Sequence, residues 1–210
     1  MCSANLNNID NLDEQLMSGL SPRGVPDGLT GSALPFLYGD LKQLRNILQG
    51  GDIAAVKIET MRSEYPDATY LQSIRNLCDE YGAVLIFDEC TSGFRETFGG
   101  FYLQYDVQPD LVVLGKTIAN GFPLTTVIGT ASIMNAAQTT FISSTFFTDR
   151  IGFAAALKTF EIMQREHTWQ TLKKVGAYFK EGLKTIFAQS SIELQQSGME
   201  ALPVWGYKNK

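Results

Sequence analysis

Apolar positions fall alternately into short unbroken runs and helix-spaced stripes, a pattern that predicts strands and helices in alternation. Residues 54–58 read as a short buried strand ending near Glu59. Leu71, Ile74, Leu77, Cys78 and Tyr81 then share one helical stripe, predicting a helix over 68–81 that Gly82 terminates. Ala83-Val-Leu-Ile-Phe87 follows at once as a second strand and stops at Asp88-Glu89. This is a βαβ unit, and its nearly continuous apolar strands predict a parallel sheet buried on both faces. Leu111-Val-Val-Leu114 predicts a third strand, stopping at Gly115-Lys116-Thr117, and residues 125–131 extend the sheet.

Flanking segments are read the same way. Residues 1–35, rich in Asn, Ser, Gly and Pro, read as loop. Asp40 is positioned to cap a short helix with Leu41, Leu44, Ile47 and Leu48 on one face, stopped by Gly50-Gly51. Beyond Thr148-Asp149-Arg150 the pattern turns helical. One helix carries Phe153, Leu157, Phe160 and Met163, and a longer one carries Trp169, Leu172, Val175, Phe179, Leu183, Ile186 and Phe187. Residues 191–210 begin a new element and are too few to form a domain alone.

Composition narrows the class. A chain of 210 residues, 44% hydrophobic and 19% charged, has material for one sizeable core, or for a domain with part of another. The net charge of −5 disfavours nucleic acid, whose phosphates require clustered Lys and Arg. No apolar run approaches the ~18 residues of a membrane span, and the polar start resembles no targeting segment. A soluble, cytoplasmic protein is expected. Cys2, Cys78 and Cys90 form neither a disulfide framework nor a zinc pattern, and Cys78 is expected in the core. The single histidine, His167, lies between two helical segments and reads as a surface or capping residue.

The chemistry concentrates at two strand ends. Ligands of open α/β sheets lie beyond the carboxyl ends of the strands, so Asp88 and Lys116 are candidates for one pocket. Nucleotide hydrolysis is one reading, since Gly115-Lys116-Thr117 resembles the end of a phosphate loop. That loop requires a glycine five positions before Gly115, where Asp110 stands, and its acidic strand follows rather than precedes it. The other reading makes Lys116 a nucleophilic amine, activated by desolvation against apolar walls, with Asp88 as the carboxylate that a pyridoxal ring nitrogen needs. Taken singly, Lys116 also reads as a snorkelling surface lysine and Asp88 as a turn cap. Spacing alone leaves these open.

A resemblance bears on the choice. Leu85-Ile-Phe-Asp-Glu-Cys-Thr-Ser-Gly-Phe-Arg95, Gly99-Gly100, Pro109-Asp-Leu111 and Leu114-Gly-Lys-Thr-Ile-Ala-Asn-Gly-Phe-Pro123 together resemble the class III pyridoxal-phosphate aminotransferases. Within that family the likeness is greatest to the glutamate-1-semialdehyde 2,1-aminomutase type, and it runs from about Gly24 onward. It implies an α/β fold: the three-layer, mostly parallel sheet with flanking helices of the large domain of fold type I. Residues 1–190 would form part of that domain, and 191–210 the start of a small C-terminal one.

The resemblance also implies pyridoxal 5'-phosphate as cofactor and a small-molecule amino donor and acceptor. Lys116 would hold the cofactor as an internal aldimine and move the substrate's α-proton, and Asp88 would pair with the pyridine nitrogen. Cys90 stands where the family usually has a valine against the ring. Thr145, with Ser144 as the alternative, would reach the cofactor phosphate of a neighbouring subunit, implying a homodimer with its site at the interface. Glu59 matches the acid of a Glu-Pro strand end, with Thr60 in place of the proline. Arg62 and Glu64 fill a loop to which no contact is assigned, and Arg95 is expected to brace its loop. The family's phosphate cradle and ring-stacking aromatic have no counterpart before Gly24, which implies a fragment. A fragment would leave an unpaired sheet edge and exposed apolar surface.

Overall fold

The sheet that carries Asp88 and Lys116 has four strands in the order β1-β2-β3-β4. They are β1 (Ala55–Glu59), β2 (Val84–Asp88), β3 (Leu111–Leu114) and β4 (Thr126–Gly129). The computed structural model describes residues 26–29, 31–61 and 63–207. Of the loop expected over 1–35, residues 1–25 and 30 lie outside the described residues, Cys2 and Gly24 among them, as does Arg62. β1, β2 and β3 run parallel, and β4 returns antiparallel to β3. The predicted βαβ unit is therefore present, with α2 (Ala68–Tyr81) as its crossover helix.

Two compact units divide the chain. The first takes the residues up to Ala54 together with Asp79–Ala83. In it, the Asp40 side chain accepts from the Gln43 amide at 2.8 Å and caps α1 (Leu41–Gln49), as the sequence predicts. Leu44 and Leu48 are buried, and Arg45 pairs with Glu80 at 2.9 Å. Gly82 takes a positive φ of +68° just beyond the helix, the left-handed geometry that glycine adopts without strain.

The second unit takes Ala55–Cys78 and everything from Val84 onward. Tyr70, Leu71, Ile74, Leu77 and Cys78 are buried on α2. In the sheet, Val56, Ile58, Leu85, Phe87, Val112 and Leu114 share one sealed face. The opposite face carries Lys57, Glu59, Ile86, Asp88, Leu111 and Val113 and is half-exposed. Burial on both faces is thus corrected: over β1, β2 and β3 the described residues seal one face only, which lets a lysine and two carboxylates occupy the other.

Past β3 the chain turns through a single 3-10 helix, Lys116–Ala119, onto which α3 (Arg150–Glu166) packs. Val112, Leu114, Ile118, Ala119, Phe94 and Ala156 form the core beneath it. Phe94 stacks on Phe160 with ring centroids 4.9 Å apart. The stripe expected on α3 is only half right. Phe160 and Met163 pack on the core, whereas Phe153 and Leu157 are exposed and Gly152 and Ala156 are the buried positions. A β-carbon at position 152 would meet the Phe122 ring at 2.8 Å, so close approach selects small residues there. On α4 (Thr168–Phe187) Leu172, Val175, Phe179 and Ile186 are exposed, and the antiparallel hairpin of β5 (Leu194–Met199) and β6 (Leu202–Tyr207) touches the helix. His167 is exposed in the left-handed junction between α3 and α4, at φ +50°.

Candidate active site

Each residue of the site is delivered by a strand end. β1 ends on Glu59, and register sets Glu59 beside Asp88 at the end of β2. Asp88 in turn lies beside Val113, two positions before Gly115-Lys116. The carboxylate and the amine therefore come from the same end of adjacent parallel strands.

The loop after β2 is held by its own backbone and by a buried acid. Glu89 is fully buried and accepts from the Tyr102 amide at 2.9 Å and from the Ser92 hydroxyl. Burial pushes the Glu89 carboxyl up, against the pull of these donors. Arg95 donates to the Thr91 carbonyl at 2.5 Å and braces the loop, as expected. The Thr117 hydroxyl donates to the Gly93 carbonyl at 2.8 Å, tying the turn after β3 to the loop after β2.

Within this frame Asp88 has both oxygens engaged. Oδ1 accepts from the Cys90 amide at 3.0 Å, and Oδ2 pairs with Lys57 Nζ at 2.8 Å. Its side chain is 18% exposed. Burial alone would raise its carboxyl, but the Lys57 ammonium and the Cys90 amide outweigh burial and hold it below the ordinary carboxylate range. Burial and the Asp88 charge push the Cys90 thiol up, while Lys116 and Lys57 pull it down. The half-buried Cys90 thus lies within electrostatic reach of both the amine and the acid.

Lys116 Nζ donates to Thr91 Oγ1 at 2.6 Å. Its backbone is left-handed at φ +50°, a conformation that costs a non-glycine residue about 1–3 kcal/mol and that the surrounding turn must enforce. The side chain is exposed, so the apolar walls expected around its amine are not built by the described residues. Gly115 admits the close approach of Cys90, since a β-carbon there would come within 3.1 Å of Sγ. Ser144 and Thr145 lie apart from this cluster's contacts, in an exposed turn where the Phe147 amide donates to the Ser144 carbonyl at 3.1 Å.

Lys57 and Thr91 were not among the residues singled out from the sequence. Lys57 carried a signal, being the lone charge inside an apolar strand, and strand alternation puts it on the face of Glu59. Thr91 carried none. Among the described residues, no group of His, Cys, Asp and Glu is arranged to hold a metal, and no helix is long and apolar enough to cross a membrane.

Comparison with known proteins identifies the family. Residues 30–198 match the family model described as aminotransferase class-III. The chain belongs to the class-III aminotransferases, enzymes whose cofactor is pyridoxal 5'-phosphate. It is 32% identical over 194 residues to a 3-aminobutyryl-CoA aminotransferase of Cloacimonas acidaminovorans, covering 88% of this chain and 47% of that protein. It is 37% identical over 169 residues to the glutamate-1-semialdehyde 2,1-aminomutase of Heliobacterium modesticaldum, covering 76% of this chain and 39% of that protein. The structure of FumI from Sphingopyxis sp. MTA144, in its PLP internal aldimine form, superposes with a TM-score of 0.79 at 28% identity, covering 83% of this chain and 44% of FumI. The chain thus spans about half the length of the curated relatives it matches.

Proposed function

We propose that this chain supplies the amine and the ring-nitrogen acid of a pyridoxal-phosphate site for amino group transfer. The observation that carries the reading is that Asp88 and Lys116 come from the same end of adjacent parallel strands, with Cys90 donating its amide to Asp88 and its sulfur lying close to Gly115, next to Lys116. The donor set fits the cofactor: a primary amine for its aldehyde, an anionic carboxylate for its ring nitrogen, and a soft apolar sulfur for its ring face. When bound, pyridoxal phosphate supplies an aldehyde and an electron-withdrawing ring to a substrate amine.

Lys116 Nζ would hold the aldehyde end and, freed when the substrate amine takes its place there, would carry a proton to and from the substrate's α-carbon. Thr91 Oγ1 orients that amine through the 2.6 Å hydrogen bond. Asp88 keeps the proton on the ring nitrogen, and the Cys90 amide fixes the plane of its carboxylate. Glu59 borders Asp88 on the same face. Ser144 and Thr145 are suited, by their exposure, to a cofactor phosphate bound to a neighbouring subunit, with Thr145 as the main contact. A homodimer, a cytoplasmic setting and a small-molecule amino donor and acceptor complete the reading. Residues 1–190 are assigned to the large domain and 191–210 to the start of the small one. Transamination and 2,1-amino transfer use these residues alike.

A second reading, that the chain keeps the motif but acts as a partner-binding piece without turnover, draws support from the exposed Phe141, Phe146 and Phe147. Trapping separates the two. The protein is mixed with pyridoxal phosphate, reduced with borohydride and mapped by peptide mass spectrometry. The first reading expects the cofactor's mass on the Lys116 peptide and its loss in Lys116→Ala. Label spread over exposed lysines, unchanged in Lys116→Ala, overturns it.

A further inference from the structure

Among the described residues, one cation occupies the half-exposed face of the sheet beside Asp88, and no role described so far uses it. Lys57 lies on β1, two positions before Glu59, and reaches diagonally across to Asp88 Oδ2 at 2.8 Å. Its side chain is 55% exposed, so packing does not force it there. A strand of this composition would ordinarily carry an apolar residue at that position.

We propose that Lys57 is a positioning residue for Asp88, clamping one carboxylate oxygen and sharing its negative charge, so that the acid grips a ring-nitrogen proton less tightly than a carboxylate without a lysine would. Two donors, Lys57 Nζ and the Cys90 amide, fix the two oxygens, so the carboxylate cannot rotate. Its charge is divided between the ammonium and any cation on its open side. The consequence for the cofactor rests on the proposed function, whereas the clamp itself does not.

The titratable groups around Asp88 are few. Lys57 and Glu59 face it from β1, Cys90 from the following loop, and Lys116 acts on the same thiol from the turn after β3. Among the described residues Lys57 is the cation in direct contact, so its removal has a definite sign. Without it, the Asp88 carboxyl must become easier to protonate.

The test uses the full chain with 13C-labelled aspartate, the Asp88 carboxyl resonance being assigned by its absence in Asp88→Asn. In Lys57→Met the Asp88 midpoint rises by about one pH unit, the low end for losing an opposite charge at contact distance from a partly exposed pair. Lys57→Arg restores the original midpoint. An unchanged midpoint in Lys57→Met, or a rise that Lys57→Arg fails to reverse, overturns the clamp. A second readout uses 4-deoxypyridoxine phosphate labelled with 15N in its ring, which has no aldehyde to react with Lys116. Its ring nitrogen stays protonated to higher pH in Lys57→Met than in the unaltered chain, and an identical midpoint in the two overturns the electrostatic part. If the analogue binds neither protein while the carboxyl midpoint still shifts, the cofactor reading fails and the clamp stands.

Discussion

At the scale of single residues, Asp110 shows how one residue, through side chain and backbone, ties together α2, β2 and the end of β4. Its Oδ2 accepts from the Leu85 amide at 2.7 Å and pairs with Arg75 of α2 at 2.8 Å, while its backbone bonds to Leu85 and Thr130. Burial alone would raise this carboxyl, but the Leu85 amide and then the Arg75 guanidinium prevail and hold it below its ordinary value. A depressed folded-state value means stabilisation that is complete above the unfolded value of about 3.9 and is lost as pH falls through the lower folded one. Asp110→Ala takes the acceptor from the buried Leu85 amide and the carboxylate from beside the Arg75 guanidinium, a loss of about 3 kcal/mol at neutral pH. Urea unfolding measures it. The gap between the two proteins narrows below about pH 4, and a gap constant down to pH 2 contradicts the assignment.

At the scale of elements, what the sequence revealed depended on how local the determinant was. The capped α1 and the stripe of α2 were legible because period and cap residues lie within a few positions of each other. The strand ends carrying Asp88 and Lys116 were legible for the same reason. Phe153 and Leu157 misled, because which side of α3 is buried depends on where the Phe122 and Phe160 rings lie, and no local pattern records that. Lys57 was overlooked because its partner is on another strand. Gly176 is a similar case: its role appears only when α4 meets the hairpin, where a β-carbon would lie 1.7 Å from the Glu200 carbonyl oxygen. Gly176→Ala therefore pushes hairpin and helix apart, at a cost of about 1–3 kcal/mol. Hydrogen exchange is the appropriate probe, with faster exchange across β5 and β6 expected. Exchange rates equal to those of the unaltered chain contradict the close contact.

At the scale of the whole molecule, the sheet supplies a chemical edge and an uncovered face together. The carboxyl ends of β1, β2 and β3 gather Glu59, Asp88 and Lys116, while the face around Asp88 is half-exposed and Phe141 is 95% exposed. The chain carrying both features spans about half the length of the curated relatives it matches. The central claim is that one amine and one acid address a single ring, and a crystal structure grown with pyridoxal phosphate tests it most directly. The account predicts density continuous from Lys116 Nζ to the cofactor, with an Asp88 oxygen about 2.7–3.2 Å from the ring nitrogen. A cofactor joined to another lysine, or one whose ring nitrogen faces away from Asp88, would contradict it.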